Sequence, residues 1–503
     1  MTTPTRIRLL AFALAVCLIL SCPGLAGTLD AAAADRIVQQ ALTAWGVPGA
    51  GVAIVQGDEV VYIQGFGVKE LGKPAPVTVD TIFAIGSTTK AFVSAAMAIL
   101  VDEGKMNWDD PVRKHLASFR LSDPLADDNV TMRDLVSHRT GLSRNDMLWY
   151  ASPWSREEIV ARIGRVKLSR PFRAQYQYQN IMFLTAGQAV GAAAGTTWEN
   201  FTRTRIFEPL GMTGANFSVT EAQQAPDHAS PHIKPRDANL KVVSWRNIDN
   251  VGPAGSINAS TRDLSKWVRM QLADGLFAGK QIVSQASLRE TRTPQTVVRI
   301  EGPLRATNPH TNLMSYGMGW RLQDYHGRLM VSHGGRIDGF SALITLIPSE
   351  KLGIVFLSNR GNTQMDAAVN NSIVDLVLGL PSTQWTRVLQ EQVERSEAEA
   401  KKQKDERDAK RHKNTKPSRD LAAYTGTYED SGYGTANIAL EKDSLVLQWS
   451  SFKVPLEHYH YNAYRTRGDV LEDEMVVFQL GADGEVASFD ALGVTFTKVK
   501  PKR

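Results

Sequence analysis

Ser87 and Lys90 are the two residues whose types and spacing most directly indicate chemistry. They form a Ser-x-x-Lys box that follows an apolar run and opens a helical pattern reaching Leu100. Residues i and i+3 share a helix face, so the Lys90 amine is expected beside the Ser87 hydroxyl. A buried lysine whose pKa is lowered by desolvation can accept the proton of a nucleophilic serine. The spacing therefore predicts an activated serine; the alternative is that Ser87 is a plain helix N-cap.

The start of this helix would also stabilise negative charge on a reacting oxygen. Backbone N–H groups and a partial positive charge at a helix N-terminus point toward an oxyanion at Ser87. A second Ser-x-x-Lys spans Ser450 to Lys453, but it falls on a predicted strand of the terminal region and is interpreted as chance. The sequence thus favours one nucleophile.

Two other motifs carry groups that would complete such a site. Tyr178 and Asn180 stand at the opening of a helix, where a phenol can shuttle a proton and an amide can position a substrate carbonyl; the alternative is a capped turn. His333-Gly334-Gly335 ends a predicted strand. Two glycines let a substrate backbone approach the strand edge, and a backbone N–H there would be a second oxyanion donor. The alternative for the histidine is a surface position.

The elements that must position these groups are strands at both ends of a helical region. Two β-rich runs lie near the start and three lie far downstream, and helical patterns dominate the sequence between them. This order predicts an α+β fold in which one antiparallel sheet is assembled from both ends of a domain, flanked by helices and a helical subdomain. The runs are Gly51–Val55, Val60–Ile63, Arg328–Ser332, Phe340–Ile347 and Leu352–Ser358.

The composition changes near residue 384. Between residues 391 and 416 the chain has nine Lys or Arg and seven Asp or Glu, which predicts a solvated helix or a flexible linker. Short β-like runs with turns follow, and they predict a small all-β domain, a barrel. The expected organisation is a leader over 1–26, the domain with the sheet over 27–383, a charged helical linker over 384–416 and the β domain over 417–503.

Composition and charge exclude several classes of protein. The chain has 503 residues, of which 43% are hydrophobic and 22% charged, so it is not intrinsically disordered. Its formal net charge of +5 falls to +3 without Arg6 and Arg8, and two of the remaining units lie in the charged segment. The rest is nearly neutral, so nucleic acid is not expected as a partner.

The first 26 residues have the pattern of a secretory signal peptide. Arg6 and Arg8 precede an apolar core that is too short to span a bilayer, and small residues precede the expected cut after Ala26. Both cysteines, Cys17 and Cys22, would leave with it, which removes thiol chemistry. The alternative is lipoprotein processing at Cys22. We expect an exported protein, periplasmic or secreted, with no transmembrane segment.

The order of these motifs resembles the serine β-lactamase and penicillin-binding-protein superfamily, in its class C-like esterase and D-peptidase branch. The resemblance covers roughly Ala41 to Leu380. The terminal stretch around Tyr424–Tyr428 looks like the lipocalin-like β domain often appended to such hydrolases. The family motifs are the Ser-x-x-Lys box, Val47–Ala50, Thr131–Leu142, Tyr178–Asn180, Phe207–Met212 and Gly255–Ser260.

The resemblance implies a role for each motif. Ser87 would be the acylated nucleophile, Lys90 its base, Tyr178 the proton donor to the leaving group and Asn180 the residue that holds the substrate amide. It implies no cofactor and no metal. In the same family the segment around His138 is mainly architectural.

The third motif departs from the β-lactamase pattern. His333-Gly334-Gly335 stands where β-lactamases usually have Lys-Thr-Gly or Lys-Ser-Gly, and the charge of a histidine near pH 7 is conditional. The resemblance places the backbone N–H groups of Ser87 and Arg336 in the oxyanion hole. The Arg336 side chain is a candidate carboxylate partner, but the sequence does not orient it.

These expectations describe an exported serine hydrolase that cleaves an amide or ester, on D-amino-acid peptides or small esters. The alternatives are a true β-lactamase, or a non-catalytic penicillin-binding-like receptor or scaffold. A zinc enzyme using His458 and His460 lacks an evident third ligand. The expected partner is a small-molecule or peptide substrate, and the β domain could mediate homo-oligomerisation.

Overall fold

The computed structural model describes residues 29–235, 238–468 and 470–500. The predicted signal peptide, with Cys17 and Cys22, lies outside the described residues. Among the helices that are described, none combines the length and the apolar character needed to cross a bilayer.

An eight-stranded antiparallel sheet forms the centre of the first domain, in the order β2-β1-β8-β7-β6-β5-β4-β3. Strand β1 pairs with β8, so Ala53 lies opposite Val355, and the sheet joins the two ends of the domain as the sequence predicts. The strands are β1 Gly49–Gln56, β2 Glu59–Gly67, β3 Thr296–Val297, β4 Met314–Tyr316, β5 Arg321–Tyr325, β6 Arg328–Ile337, β7 Phe340–Ile347 and β8 Leu352–Ser358.

The central strands read as continuous apolar runs because helices cover both faces of the sheet. All eight residues of β7 and all seven of β8 are buried. Strands β3, β4 and β5 were not predicted, because they are short and mix polar with apolar residues. Pairing with β6 fixes β5, from Arg321 opposite Ser332 to Tyr325 opposite Arg328.

Seven helices of eight residues or more occur within the described ranges. Helix α2 is buried from Thr89 to Leu100 and runs through the centre of the domain, where Phe92 stacks on Trp267 with ring centroids 3.9 Å apart. The long helices are α1 Ala31–Trp45, α2 Thr89–Asp102, α3 Arg156–Ile163, α4 Asn180–Ala194, α5 Thr261–Leu272, α6 Met365–Val377 and α7 Trp385–Ala409.

Shorter elements complete the helical subdomain and the rims of the sheet. The short α-helices are Val112–His115, Pro124–Asn129, Met132–Leu135, Trp198–Thr202, Glu208–Leu210, Val219–Gln224, Gln285–Thr291, Gly302–Thr307 and Leu421–Tyr424. Small two-stranded sheets pair Phe83–Ala84 with Asn258–Ala259, His232–Ile233 with Lys241–Val242, and Leu276–Phe277 with Lys280–Gln281.

The C-terminal domain is a closed eight-stranded barrel, which confirms the expected fold class. Aromatic rings fill its interior; Phe489, for example, packs between Tyr428 and Phe496, with ring centroids 4.9 Å from each. Its strands are β9 Gly426–Asp430, β10 Gly434–Glu441, β11 Ser444–Trp449, β12 Phe452–His460, β13 Ala463–Thr466, β14 Met475–Leu480, β15 Val486–Ala491 and β16 Val494–Lys498.

Helix α7 connects the two domains and is held by both. At its start Trp385 is fully buried, and its indole N–H donates to Asp375 over 2.6 Å. Near its end the phenol of Tyr459, in the barrel, donates to the carbonyl of Arg407 over 2.9 Å. Residues 391–409 of the charged segment, for which a solvated helix or a flexible linker was expected, therefore belong to a helix that contacts both domains.

Candidate active site

Ser87 lies in a tight helical turn, Gly86–Thr88, immediately before α2. Gly86 has φ 51°, and a Cβ there would lie 2.7 Å from the backbone nitrogen of Arg336. Glycine therefore allows the turn to approach β6 closely. The i, i+3 relationship holds across the turn, since Nζ of Lys90 lies 3.0 Å from Oγ of Ser87.

Lys90 is completely buried and contacts three neutral groups. Besides Ser87, its Nζ lies 2.8 Å from Oδ1 of Asn180 and 2.7 Å from the carbonyl oxygen of Ala254. Burial is the main cause that lowers the pKa of Lys90 well below its usual value, and the charge of Arg144 lowers it further. A neutral amine has two N–H groups and one lone pair. Asn180 and Ala254 can accept the two N–H groups, which leaves the lone pair for the Ser87 hydroxyl.

Tyr178 lies close to the nucleophile and its base. It lines the same cavity as Ser87, and its ring centroid is 4.9 Å from Nζ of Lys90. Burial raises the pKa of Tyr178, so the phenol stays protonated at neutral pH. His138 packs on its ring, with centroids 4.2 Å apart, and Nδ1 of His138 accepts the backbone N–H of Gln179 over 3.0 Å. His138 thus contributes to the position of this segment, in line with the architectural role expected for it.

Asn180 is the first residue of α4, and both ends of its amide contact protein groups. Its Nδ2 donates to Oδ1 of Asp146 over 2.9 Å, while its Oδ1 faces Lys90. Asp146 therefore sets which end of the amide points at the lysine. No motif in the sequence pointed to this carboxylate, and a contact of Asn180 with substrate stays a prediction.

Strand β6 brings His333 to the site and then continues to Ile337, beyond the end that the sequence predicts. Gly335 permits β6 to pass this close to the turn that holds Ser87, because a Cβ at this position would lie 1.8 Å from the carbonyl oxygen of Ile85 and 2.9 Å from the nitrogen of Ser87. The residues from His333 onward lie beyond the segment that pairs with β5. This leaves an open strand edge beside the nucleophile.

His333 is neutral at physiological pH. Its Nδ1 donates to the carbonyl of Gly334 over 2.7 Å, and its Nε2 accepts from the phenol of Tyr316 over 2.9 Å. Burial is the main cause that lowers the pKa of His333 to about 3, and a proton on Lys90 lowers it further. The residue in the position of the β-lactamase lysine is therefore a hydrogen-bonding spacer without a charge.

The two candidate arginines differ in their surroundings. Arg336 pairs with Asp366 at 3.0 Å, so its side chain already has a carboxylate partner. Arg321, at the start of β5, lines the same cleft, and within the described residues it has no carboxylate partner, its contact being Oγ of Ser332 at 3.4 Å. Sequence reasoning missed Arg321, because it lies on a strand that carries no β-rich pattern.

Ser87 opens into a cavity of about 910 Å³. Tyr178, His333 and Arg321 line the end near the nucleophile, and the cavity continues along β6 as far as α7. This volume lies toward the upper end of the range usual for small-molecule sites, roughly 300 to 1,000 Å³. The site is large enough for a substrate longer than a single amino acid.

The barrel contacts the segment that supports the site. The amide Nδ2 of Asn145 donates to the phenol oxygen of Tyr433 over 3.0 Å. Asn145 has φ 46°, an unusual conformation for a residue other than glycine, and it directly precedes Asp146. A chain of contacts therefore runs from Tyr433 in the barrel to Asn145, from its neighbour Asp146 to Asn180, and from Asn180 to Lys90.

Comparisons with known proteins agree with this architecture. The chain is 30% identical to the Unguisins hydrolase ungD' of Aspergillus campestris over 335 residues, which are 64% of this chain and 60% of that protein. The chain thus spans less than two thirds of the length of this relative. Residues 410–500, the barrel region, match a domain of unknown function, DUF3471.

Solved structures show the same fold. An octameric penicillin-binding protein homologue from Pyrococcus abyssi superimposes with a TM-score of 0.62 at 21% identity, over 93% of this chain and all of that one. A D-stereospecific amidohydrolase from Streptomyces sp. gives a TM-score of 0.55 at 23% identity, over 69% of this chain and 98% of that one. Residues 34–379 match the Beta-lactamase family, and the chain therefore belongs to that family.

Proposed function

We propose that this protein is a serine hydrolase that cleaves an amide or ester bond through an acyl-enzyme on Ser87. The observation that carries the proposal is the environment of Lys90, buried among neutral acceptors with one position left for the serine hydroxyl. A lysine held in its neutral form is a competent base at neutral pH.

The first half of the reaction follows from these positions. As Oγ of Ser87 bonds to the substrate carbonyl carbon, its proton moves to Nζ of Lys90. Negative charge develops on the carbonyl oxygen, which the backbone N–H groups of Ser87 and Arg336 would bind. Tyr178 then gives its proton to the leaving amine or alkoxide as the bond to carbon breaks, and regains one from Lys90.

Hydrolysis of the acyl-enzyme repeats these steps with water as the nucleophile. Neutral Lys90 takes a proton from water as the water oxygen bonds to the acyl carbon. Oγ of Ser87 then leaves with the proton that Lys90 has taken up, so the enzyme returns to its starting state.

Peptides containing D-amino acids, or small esters, are the proposed substrates. The names of two similar proteins, a D-stereospecific amidohydrolase and an unguisins hydrolase, support this class. Efficient β-lactamase activity is not part of the proposal, since neutral His333 stands where β-lactamases usually have a lysine. Arg321, which lines the same cavity on the neighbouring strand, is proposed to bind the carboxylate of a peptide substrate instead.

A turnover screen tests the proposal. Wild type and Ser87→Ala are compared on short 4-nitrophenyl esters, D-alanyl peptides and penicillins. We expect the wild type to hydrolyse the esters or the peptides and Ser87→Ala to lose that turnover. Full turnover by Ser87→Ala on every substrate of the wild type would overturn the mechanism. A wild type that binds these ligands without turnover would favour the receptor alternative.

A further inference from the structure

The cavity that begins at Ser87 has a second compartment, far from the nucleophile. We call it the distal arm and define it by Met330, Gln323, Thr345, Asn370 and the α7 residues Val393 to Ala400 that line it. It lies on one face of β5, β6 and β7, and α7 forms its outer wall. Arg321 lies where the distal arm joins the catalytic end.

One face of α7 builds this wall. Val393, Ser396, Glu397 and Ala400 line the cavity and follow each other at spacings i, i+3, i+4 and i+7. The opposite face of the helix, which includes Ala398, does not line it. Since both ends of α7 are docked, the wall is a fixed part of the site.

The lining of the distal arm combines apolar side chains with hydrogen-bonding groups. Oε1 of Gln323, Oγ1 of Thr345 and Oδ1 of Asn370 are buried, and none has a hydrogen-bond partner within the described residues. Each of the three residues is at least 96% buried and lines the cavity. Apolar side chains that line the cavity include Val298, Leu304, Met314, Met330, Leu343 and Val393.

The orientation of the two amides is set by the protein. Nε2 of Gln323 donates to Oγ1 of Thr311 over 3.0 Å, and Nδ2 of Asn370 donates to Oδ1 of Asn371 over 3.1 Å. The amide oxygens of Gln323 and Asn370 are therefore left without a hydrogen-bond partner among the described residues, and the hydroxyl of Thr345 is a third such acceptor. Buried polar atoms without partners are costly, and acceptors of this kind match N–H donors such as those of a peptide backbone.

The length of the cavity indicates the size of the ligand. Arg336, whose backbone nitrogen lies beside Gly86, and Met330, in the distal arm, point to the same face of β6 and are six residues apart, which is roughly 20 Å at about 3.3 Å per residue. An extended peptide of about six residues, or of five with capping groups at both ends, covers that distance, whereas a dipeptide of roughly 7 Å covers about a third of it.

We propose that the distal arm is a subsite for an extended peptide, whose backbone N–H groups bind Gln323, Thr345 and Asn370 and whose apolar side chains pack against α7. The proposal rests on the proposed hydrolase function and narrows its substrate class to oligopeptides. The charged segment after residue 384 is then part of the substrate site.

Binding to the Ser87→Ala protein tests the proposal without turnover. The probes are acetyl-Leu-Ala-D-Ala-Leu-Ala-amide and acetyl-D-Ala-amide, measured by calorimetry. We expect the pentapeptide to bind at least about tenfold more tightly, as a few added hydrogen bonds and buried side chains allow. Adding Ala400→Trp should remove most of this difference, while Ala398→Trp, on the opposite face of α7, should preserve it.

A second variant tests the polar groups. Thr345→Val keeps the shape but removes the unpartnered hydroxyl, so it should raise Tm and weaken pentapeptide binding. Equal affinity for the two probes, or a tenfold preference that survives Ala400→Trp, would overturn the proposal that the distal arm is a peptide subsite. Failure of the wild type to hydrolyse any ester or peptide would instead overturn the hydrolase function and leave the binding result standing.

Discussion

The phenol oxygen of Tyr433, in the C-terminal barrel, accepts a hydrogen bond from Nδ2 of Asn145 at 3.0 Å. The next residue, Asp146, orients the Asn180 amide that faces Lys90. The barrel therefore supports the catalytic lysine through two intermediate contacts, although none of its described residues lines the catalytic cavity.

Tyr433→Phe tests this support. Losing one hydrogen bond should lower the free energy of unfolding by about 1 kcal/mol. It should also lower kcat roughly threefold to tenfold, because small displacements of catalytic groups reduce rates strongly. Tyr428→Phe is the matched control, since its phenol donates to the carbonyl of Tyr424 inside the barrel. If both variants lose the same activity, the contact has only a structural role.

The charge of Arg144 should set the acid limit of activity. Catalysis requires neutral Lys90, so kcat/KM should rise with pH until the lysine has lost its proton. Arg144 lowers the pKa of Lys90 and Asp146 raises it. Arg144→Met should therefore move the acid limb of the pH profile to higher pH, and Asp146→Asn should move it lower. Two profiles that coincide with that of the wild type would contradict the role of Lys90 as base.

His333 should make stability depend on pH in a defined window. Its pKa falls from the ordinary 6.5 to about 3 in the folded state, so between these values the unfolded chain binds a proton that the folded chain does not. Stability is therefore lost as pH decreases from 6.5 toward 3, by up to about 1.4 kcal/mol per pH unit.

In the His333→Gln variant, the glutamine amide can make both hydrogen bonds of the histidine, to the carbonyl of Gly334 and to the phenol of Tyr316, and it does not titrate. The pH dependence of its urea unfolding should be shallower than that of the wild type in the same window. Parallel curves for the two proteins would show that His333 takes up its proton equally in the folded and unfolded states.

Arg321 should discriminate between charged and neutral substrates. Arg321→Met should lower kcat/KM by roughly tenfold to a hundredfold on a peptide with a free carboxylate, because a buried charge pair is lost. The same peptide as its C-terminal amide should change by less than about twofold. An equal loss on both peptides would assign Arg321 to the structure of the cleft.

The sequence predicted those parts of the site that depend on local spacing. Ser87 and Lys90 are one helical turn apart, so their proximity follows from helix geometry. Tyr178 and His333 were predicted from the order of motifs, and in the structure both line the cavity that contains Ser87. The antiparallel sheet followed from continuous apolar runs at the two ends of the domain.

The parts that were missed depend on contacts between distant segments. Arg321 lies on a short mixed strand that pairing with β6 stabilises. Tyr433 reaches Asn145 across 288 residues of chain. The sequence of helix α7 predicts a spacer, because most of its residues are polar. Only the folded structure shows that one face of the helix lines the cavity.

Intact-mass analysis after exposure to a fluorophosphonate probe is the most direct test of the central claim. The serine oxygen displaces fluoride and forms a stable bond to phosphorus, so no turnover is needed. We predict one adduct per wild-type chain, located on the peptide that contains Ser87, and none on Ser87→Ala. Equal labelling of Ser87→Ala, or an unlabelled wild type that still hydrolyses its substrate, would contradict Ser87 as the nucleophile.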